Sequence, residues 1–145
     1  MCSSDLPAID QLRARHAGRR VLLAEDNLVN ALVAGELLQA AGLGVLPAEN
    51  GRQALDVLGR EPVDLVLMDM QMPEMDGLQA TRALRAEPRW ARLPVIALTA
   101  NAFEEDRQAC LASGMDEVLT KPVEPELLYA ALLRRLEAVA RPRSA

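Results

Sequence analysis

Residues 63–69 are VDLVLMD, a short run of aliphatic side chains that is interrupted at Asp64 and ends at Asp69. A run of this length without a polar face is typical of a strand that a parallel sheet buries on both faces. The stretch PEMDG follows at 73–77 and has the composition of a turn, and a helical pattern comes next. The order strand, turn, helix predicts one unit of an alternating α/β fold.

The alternation of strand and helix patterns occurs five times along the chain. The predicted strands cover residues 21–24, 44–48, 63–68, 94–98 and 116–119. An apolar pattern with helical spacing follows each strand, so we predict a parallel sheet with right-handed crossovers and helices on both faces. The fold class is therefore α/β, and five strands match the flavodoxin-like doubly wound (βα)5 order 2-1-3-4-5.

The expected domain organisation has three parts. Residues 1–18 are polar and are predicted to form an N-terminal linker or a frayed helix, so that His16 precedes the folded core. Residues 19–140 are predicted to form one domain, as suits a chain of 145 residues. Residues 141–145 are predicted to be a C-terminal tail.

Composition narrows the classes of function. Half of the residues are apolar, and 16 basic against 21 acidic residues give a net charge of -5, which argues against direct nucleic-acid binding. The two cysteines, Cys2 and Cys110, have neither a disulfide framework nor the spacing of a metal site. The sequence contains no apolar run of about 20 residues and no signal-peptide pattern, so we expect a soluble cytoplasmic protein without membrane contact.

Polar side chains stand where the predicted strands end. Glu25 and Asp26 follow the first strand, Asp69 the third, Thr99 the fourth and Lys121 the fifth. The carboxyl ends of parallel strands meet at one edge of an open sheet, where ligands bind. The sequence therefore predicts that these five side chains share one cleft.

The expected cleft has a specific chemistry. At an effective dielectric constant near 20, two carboxylates about 4 Å apart repel each other by roughly 4 kcal/mol. A hard cation such as Mg²⁺ offsets this repulsion, and Mg²⁺ favours a few carboxylates together with phosphate oxygens. Lys121 and Thr99 supply a positive charge and a hydroxyl donor suited to a phosphoryl group. Asp69, central in the predicted strand order, is the candidate nucleophile.

Four motifs at these positions make the match specific. They are VLLAEDN at 21–27, LVLMDMQMPEMDG at 65–77, ALTA at 97–100 and KP at 121–122. With these motifs the sequence resembles the receiver domains of response regulators and hybrid sensor kinases. The resemblance covers residues 19–140, and it implies a two-component phosphotransfer function.

The resemblance implies roles for the acidic residues and their neighbour. Asp69 would be the phosphoacceptor and a metal ligand, Asp26 a direct Mg²⁺ ligand, and Glu25 a ligand acting through water. The backbone carbonyl of Gln71 would complete the protein ligands. Gln71 and Asn101 flank the expected site and are candidates for tuning hydrolysis of the acyl phosphate.

The resemblance also implies how the site responds. Thr99 would bind the phosphate and shift inward, Lys121 would pair with a phosphate oxygen, and a cis bond before Pro122 would help to aim the lysine. Related domains often carry an aromatic residue three positions before this lysine. Here that switch position is Val118, so the usual ring rotation is not expected.

Two forms of the whole protein remain open. The motifs are most similar to receivers of hybrid kinases and phosphorelays, with a histidine kinase or a histidine phosphotransfer domain as the partner. The chain would then be a single-domain regulator or a receiver belonging to a larger kinase, and we expect a monomer or a weak dimer. We expect no DNA-binding output domain within these 145 residues.

Three other classes of function share parts of this pattern. A pseudo-receiver that binds partners without phosphorylation is expected to lack an acid, the threonine or the lysine, and none is missing here. A Mg²⁺-dependent phosphatase of the haloacid dehalogenase type needs a second aspartate two residues after Asp69, where Gln71 stands. A nucleotide-binding Rossmann domain needs a glycine-rich loop after the first strand, which the sequence lacks. We therefore expect a phosphoacceptor that promotes its own phosphorylation and dephosphorylation, not an enzyme acting on a separate substrate.

Overall fold

A computed structural model describes residues 7–70, 75–100, 104–121 and 123–140. Within these ranges the strands are β1 Arg20–Ala24, β2 Gly44–Ala48, β3 Leu65–Asp69, β4 Val95–Thr99 and β5 Glu117–Thr120. The helices are α1 Ala8–Arg15, α2 Leu28–Ala40, α3 Gly51–Arg60, α4 Gly77–Arg85, α5 Glu104–Ser113 and α6 Pro125–Ala140. A short 3-10 helix, Pro88–Trp90, precedes β4.

The strands form one parallel sheet in the order β2-β1-β3-β4-β5. This order confirms the predicted flavodoxin-like fold. β3 pairs with β1 on one side and with β4 on the other, so Met68 lies in register with Ala24 and Ala97. Asp69, at the end of the central strand, is therefore flanked by the ends of two other strands.

Each face of the sheet carries its own apolar cluster. Side chains alternate along β3, so that Leu65 and Leu67 join one cluster while Val66 and Met68 join the other. The first cluster is covered by α1, α2 and α6, and the second by α3, α4 and α5. Burial on both faces explains why the strands lack the polar alternation of a half-exposed sheet.

Side-chain caps fix the starts of three helices. The Asn27 and Asn50 side chains accept hydrogen bonds from the backbone at Asn30 and Gln53, at 3.0 and 2.8 Å. Asp76 forms a reciprocal capping box with Gln79 at the start of α4. Asn50 and Asp76 therefore satisfy backbone N–H groups at the starts of α3 and α4.

Residues 7–18, the described part of the N-terminal segment, contain a helix that packs into the first apolar cluster. We expected a linker or a frayed helix over residues 1–18, but Ala8–Arg15 is helical and Leu12 is fully buried. His16, expected to precede the core, is buried as well. Local patterning did not reveal this because α1 packs against α6, more than a hundred residues away in sequence. The boundaries at residues 18 and 140 stay predictions.

Among the helices in the described ranges, none combines the length and the apolar character that crossing a bilayer requires.

Candidate functional site

Side chains from separate strands meet at the edge of the sheet that is formed by the carboxyl ends of its strands. Asp69 is the last residue of β3 and Thr99 is the last residue of β4. Glu25 directly follows β1, and Lys121 directly follows β5. A backbone hydrogen bond of 2.7 Å from the Lys121 N–H to the Thr99 carbonyl connects the ends of β4 and β5.

Three carboxylates meet at this edge. One oxygen each from Glu25, Asp26 and Asp69 lies within 4.8 Å of the other two. Glu25 and Asp69 are buried, whereas Asp26 is exposed. An all-oxygen set with one solvent-facing member fits a hard cation that keeps part of its water shell, as Mg²⁺ does.

The Lys121 ammonium group lies between two of these acids. Its Nζ is 2.9 Å from a Glu25 oxygen and 3.2 Å from an Asp69 oxygen. Thr99 is buried at the end of the neighbouring strand. The cluster therefore places positive charge and a hydroxyl group on the same edge as the candidate nucleophile.

Burial and neighbouring charges shift the pKa values of Asp69 and Lys121 in the cluster. Burial, together with the hydrogen bond and the charge of Glu25, raises the pKa of Asp69 from 3.8 to about 6, although Lys121 opposes the shift. Burial disfavours the charged form of Lys121, but its hydrogen bond with Glu25 and the charge of Asp69 outweigh that effect and raise the pKa of Lys121. Glu25 and Asp69 thus share the single ammonium group of Lys121. A bound metal cation would further reduce the repulsion between the carboxylates.

Gly77 supports the backbone of Asp69. A Cβ atom at Gly77 would overlap the Asp69 carbonyl oxygen and approach the Met68 side chain at 3.1 Å. The Gly77 N–H also donates to the Met70 carbonyl at 3.1 Å. We did not predict this contact from the sequence, and the signal that could have indicated it was a glycine directly after the capping Asp76.

The structure brings together most of the residues predicted for the site. Glu25, Asp26, Asp69 and Lys121 converge, and Thr99 lies on the adjacent strand end. Gln71, Asn101 and Pro122 lie outside the described residues, and Val118 lies in β5, in register with Ala97 and half-buried against the second cluster.

An apolar surface adjoins the site. The large apolar side chains exposed near it lie at the start of α2 and at the start of α6. They are Leu28, Val29, Leu32, Val33 and Leu127, with exposed fractions between 56% and 74%. A cavity of about 220 Å³ lies between the two helices and reaches Glu25 and Lys121. Exposed apolar surface beside a polar cleft is typical of a site for a protein partner.

Comparison with known families and proteins gives a consistent result. The profile of the response regulator receiver domain matches residues 21–133, which is more than half of the chain. The sensor histidine kinase GacS of Pseudomonas protegens is 45% identical over 118 residues, which cover 79% of this chain and 13% of that protein. The sensor histidine kinase RcsC of Salmonella typhimurium is 36% identical over 142 residues, which cover 98% of this chain and 15% of that protein.

Two solved structures are similar over most of both chains. One is the receiver domain of a sensor histidine kinase from Pseudomonas aeruginosa, with a magnesium ion coordinated in its active-site cleft. It is 41% identical, with a TM-score of 0.78 and coverage of 83% of this chain and 99% of that chain. The other is the receiver domain of a response regulator from Saccharomyces cerevisiae, crystallised with a histidine phosphotransfer protein. It is 25% identical, with a TM-score of 0.80 and coverage of 88% and 95%.

Proposed function

Because this chain belongs to the response regulator receiver domain family, we propose that it accepts a phosphoryl group on Asp69 in a Mg²⁺-dependent reaction. One observation carries the proposal: Asp69 shares the sheet edge with two further carboxylates and with the ammonium group of Lys121. A general phosphotransfer role is a property of the family. The roles of individual residues in this chain are what we propose.

Glu25, Asp26 and Asp69 would hold the metal. Their oxygens are close enough to share one ion, and the similar receiver from Pseudomonas aeruginosa has magnesium in its cleft. When bound, Mg²⁺ supplies positive charge to the phosphoryl oxygens and to the crowded carboxylates. The carbonyl of Gln71 is a further proposed ligand from the sequence.

Asp69 is the proposed nucleophile. A carboxylate oxygen of Asp69 forms a bond to phosphorus while the phosphorus–nitrogen bond of the donor's phosphohistidine breaks. The bonding electrons stay on the imidazole nitrogen, which then takes a proton from water. Lys121, already 3.2 Å from Asp69, would pair with a phosphoryl oxygen, and the Thr99 hydroxyl would donate a hydrogen bond to another.

The reaction ends on the protein itself. We propose that the chain promotes its own phosphorylation and its own dephosphorylation, and does not turn over a separate substrate. Water would attack the acyl phosphate, and Gln71 and Asn101 are proposed to tune that attack. The complete set of two acids, acceptor, hydroxyl and lysine supports this function over a pseudo-receiver, and Gln71 in place of a second aspartate counts against a phosphatase.

The proposed donor is a histidine kinase or a histidine phosphotransfer protein. A donor imidazole that reaches Asp69 necessarily approaches the strand-end edge, where the start of α2 exposes Leu28, Val29 and Leu32. The relative from Saccharomyces cerevisiae was crystallised with a phosphotransfer protein. We therefore expect Leu32→Asp to lower transfer from a phosphorylated protein donor while leaving labelling by a small donor intact.

The role of the whole protein is also a proposal. The chain spans 13–15% of the length of the two curated relatives described above, which are sensor histidine kinases. The similarity supports a receiver belonging to a hybrid kinase, and a single-domain regulator is the other form. The cytoplasmic location expected from the sequence stays a prediction.

The test measures covalent labelling of intact protein by mass spectrometry after incubation with acetyl phosphate. With Mg²⁺ the wild type gains the mass of one phosphoryl group, and EDTA prevents the gain. Asp69→Asn removes the labelling, whereas Asp56→Asn, a matched change at an exposed position of α3, keeps it. A wild type that gains no mass with Mg²⁺ and donor would favour the pseudo-receiver.

A further inference from the structure

Helix α1 is part of the core although it lies outside the stretch that the family profile matches. It spans Ala8–Arg15, and the profile match starts at residue 21. Leu12 of α1 is 0% exposed and belongs to the same apolar cluster as Leu38 of α2 and Leu136 of α6. A segment that contributes a fully buried leucine is integrated in the fold, since burial of such a side chain stabilises by about 1.5–3 kcal/mol.

Polar contacts attach this segment to the end of α2. The Arg13 side chain donates from Nε to the carbonyl of Ala40, the last residue of α2, at 2.6 Å. The Gly18 N–H donates to the Gly42 carbonyl at 2.9 Å, and a Cβ at Gly42 would lie 3.6 Å from that of Ala17. The carbonyl groups that end α2 are thus partly satisfied from the N-terminal segment.

A second set of polar contacts attaches the segment to the far half of α6. One Glu137 oxygen accepts a hydrogen bond from Arg15 at 2.8 Å and lies 3.2 Å from Nε2 of His16. These two partners lower the pKa of Glu137. The side chain of His16 is only 4% exposed, so this contact is shielded from water on one side.

The two helices held in this way also flank the candidate site. α2 begins after Asp26 and α6 begins after Lys121, so both start at the strand-end edge. Their other ends meet α1. The cavity between them is lined by Val33 of α2 and Leu128 of α6, among others, and opens beside Glu25.

We propose that residues 8–18 form a strap that fixes the spacing of α2 and α6 at the end opposite the phosphoacceptor, and thereby the shape of the cavity between them. The strap is a conformational device that goes beyond the proposed function and does not depend on it. When the strap is released, the end of α2 and the far half of α6 open more often. Asp69 and Lys121 stay in place because the strands carry them.

Hydrogen exchange of the full chain, followed by mass spectrometry, tests the strap. Leu12→Ala removes its buried anchor, and we expect the melting temperature to fall by roughly 5–15 °C. Amides of α1, of the end of α2 and of the far half of α6 should exchange at least about tenfold faster. Ala14→Gln, which places a good helix former at an exposed position of the same helix, should leave both measurements within experimental error.

A charge reversal tests the contact with α6 without opening a cavity. Arg15→Glu places a second carboxylate against Glu137, whereas Arg52→Glu makes the same charge change at an exposed position of α3, away from the strap. Faster exchange at both α1 and the far half of α6 in Arg15→Glu, but not in Arg52→Glu, supports the strap. Unchanged exchange of α6 in both Leu12→Ala and Arg15→Glu overturns it. If Leu12→Ala does not fold, the Arg15→Glu result decides alone.

Labelling by acetyl phosphate separates the two proposals. Arg15→Glu should gain the phosphoryl mass to the same extent as the wild type, because the strap contacts lie away from Asp69. A wild type that is never labelled counts against the proposed function, and the exchange results on the strap stand regardless.

Discussion

At the scale of single residues, the ionised and buried carboxylate of Asp69 lowers the free energy of unfolding of the protein. Its pKa of about 6 in the folded chain lies above the unfolded value of 3.8, because burial and Glu25 disfavour the charged form. The resulting cost is absent below about pH 3, grows between about pH 4 and pH 6, and is complete at pH 7.5. We therefore expect Asp69→Asn to stabilise the protein in EDTA at pH 7.5 by about 3 kcal/mol, since one pKa unit corresponds to about 1.4 kcal/mol.

Urea unfolding at two pH values checks this prediction. The advantage of Asp69→Asn over the wild type should largely disappear near pH 3, where Asp69 is mostly protonated in both the folded and the unfolded state. Asp56→Asn, at an exposed position, should change the free energy of unfolding little at either pH. An advantage of equal size at pH 3 and pH 7.5 would show that titration of Asp69 is not its cause.

Gly77 gives a second prediction at this scale. Gly77→Ala forces a Cβ against the Asp69 carbonyl oxygen, which is a backbone atom and cannot rotate away. We expect a loss of about 1–3 kcal/mol in the free energy of unfolding and slower labelling of Asp69. Gly35→Ala is the matched control, because a Cβ there meets nothing within 4 Å and Gly35 lies inside α2. Gly35→Ala should raise the free energy of unfolding by about 0.5–1 kcal/mol. Equal effects of the two changes would contradict the argument from crowding.

At the scale of elements, ion pairs connect strand β5 to helix α6. Both Arg134 and Arg135 of α6 donate hydrogen bonds to Glu117 of β5, the shortest of them 2.6 Å long. Burial opposes ionisation of Glu117, but the two arginines outweigh it and lower its pKa below 4.5. An acid with a lowered pKa contributes stability above its unfolded pKa and loses that contribution as the pH falls through its folded pKa.

The test compares Glu117→Gln with the wild type. We expect the substitution to reduce the free energy of unfolding by about 1 kcal/mol at pH 7, since the arginines are partly exposed and water screens the pairs. The difference should shrink as the pH falls below about 4. Glu36→Gln, on the exposed side of α2, should cost little at either pH. If Glu117→Gln were equally costly at pH 3, lost packing and not charge would explain it.

Sequence patterns predicted elements well where local signals coincide with the fold. The predicted strand ending at Asp69 corresponds to β3, and the polar strand ends converge because a parallel sheet requires it. Contacts between distant segments could not be predicted in this way. The burial of Leu12 depends on α6, and the 2.9 Å contact of Lys121 with Glu25 depends on distances that no local pattern encodes.

At the scale of the whole molecule, metal binding and folding are linked. A ligand that binds only the folded state stabilises it by about 2.7 kcal/mol at a hundredfold excess over its dissociation constant. Three carboxylates that meet only in the folded sheet fulfil that condition. We therefore expect Mg²⁺ to raise the melting temperature of the wild type. Asp26→Asn, which removes the exposed one of the three proposed ligands, should weaken the response, and Asp56→Asn should retain it.

The same linkage predicts that Mg²⁺ reverses the order of the melting temperatures of Asp69→Asn and the wild type. In EDTA at pH 7.5, Asp69→Asn should melt above the wild type, because it lacks the cost of charging a buried acid. Mg²⁺ stabilises the wild type more, because the charge that destabilises the empty site is the charge that binds the ion. A magnesium titration followed by thermal unfolding should therefore bring the two melting curves together and then reverse their order. Parallel responses of both proteins would mean that the ion binds elsewhere, and Asp69 would lose its place in the metal site.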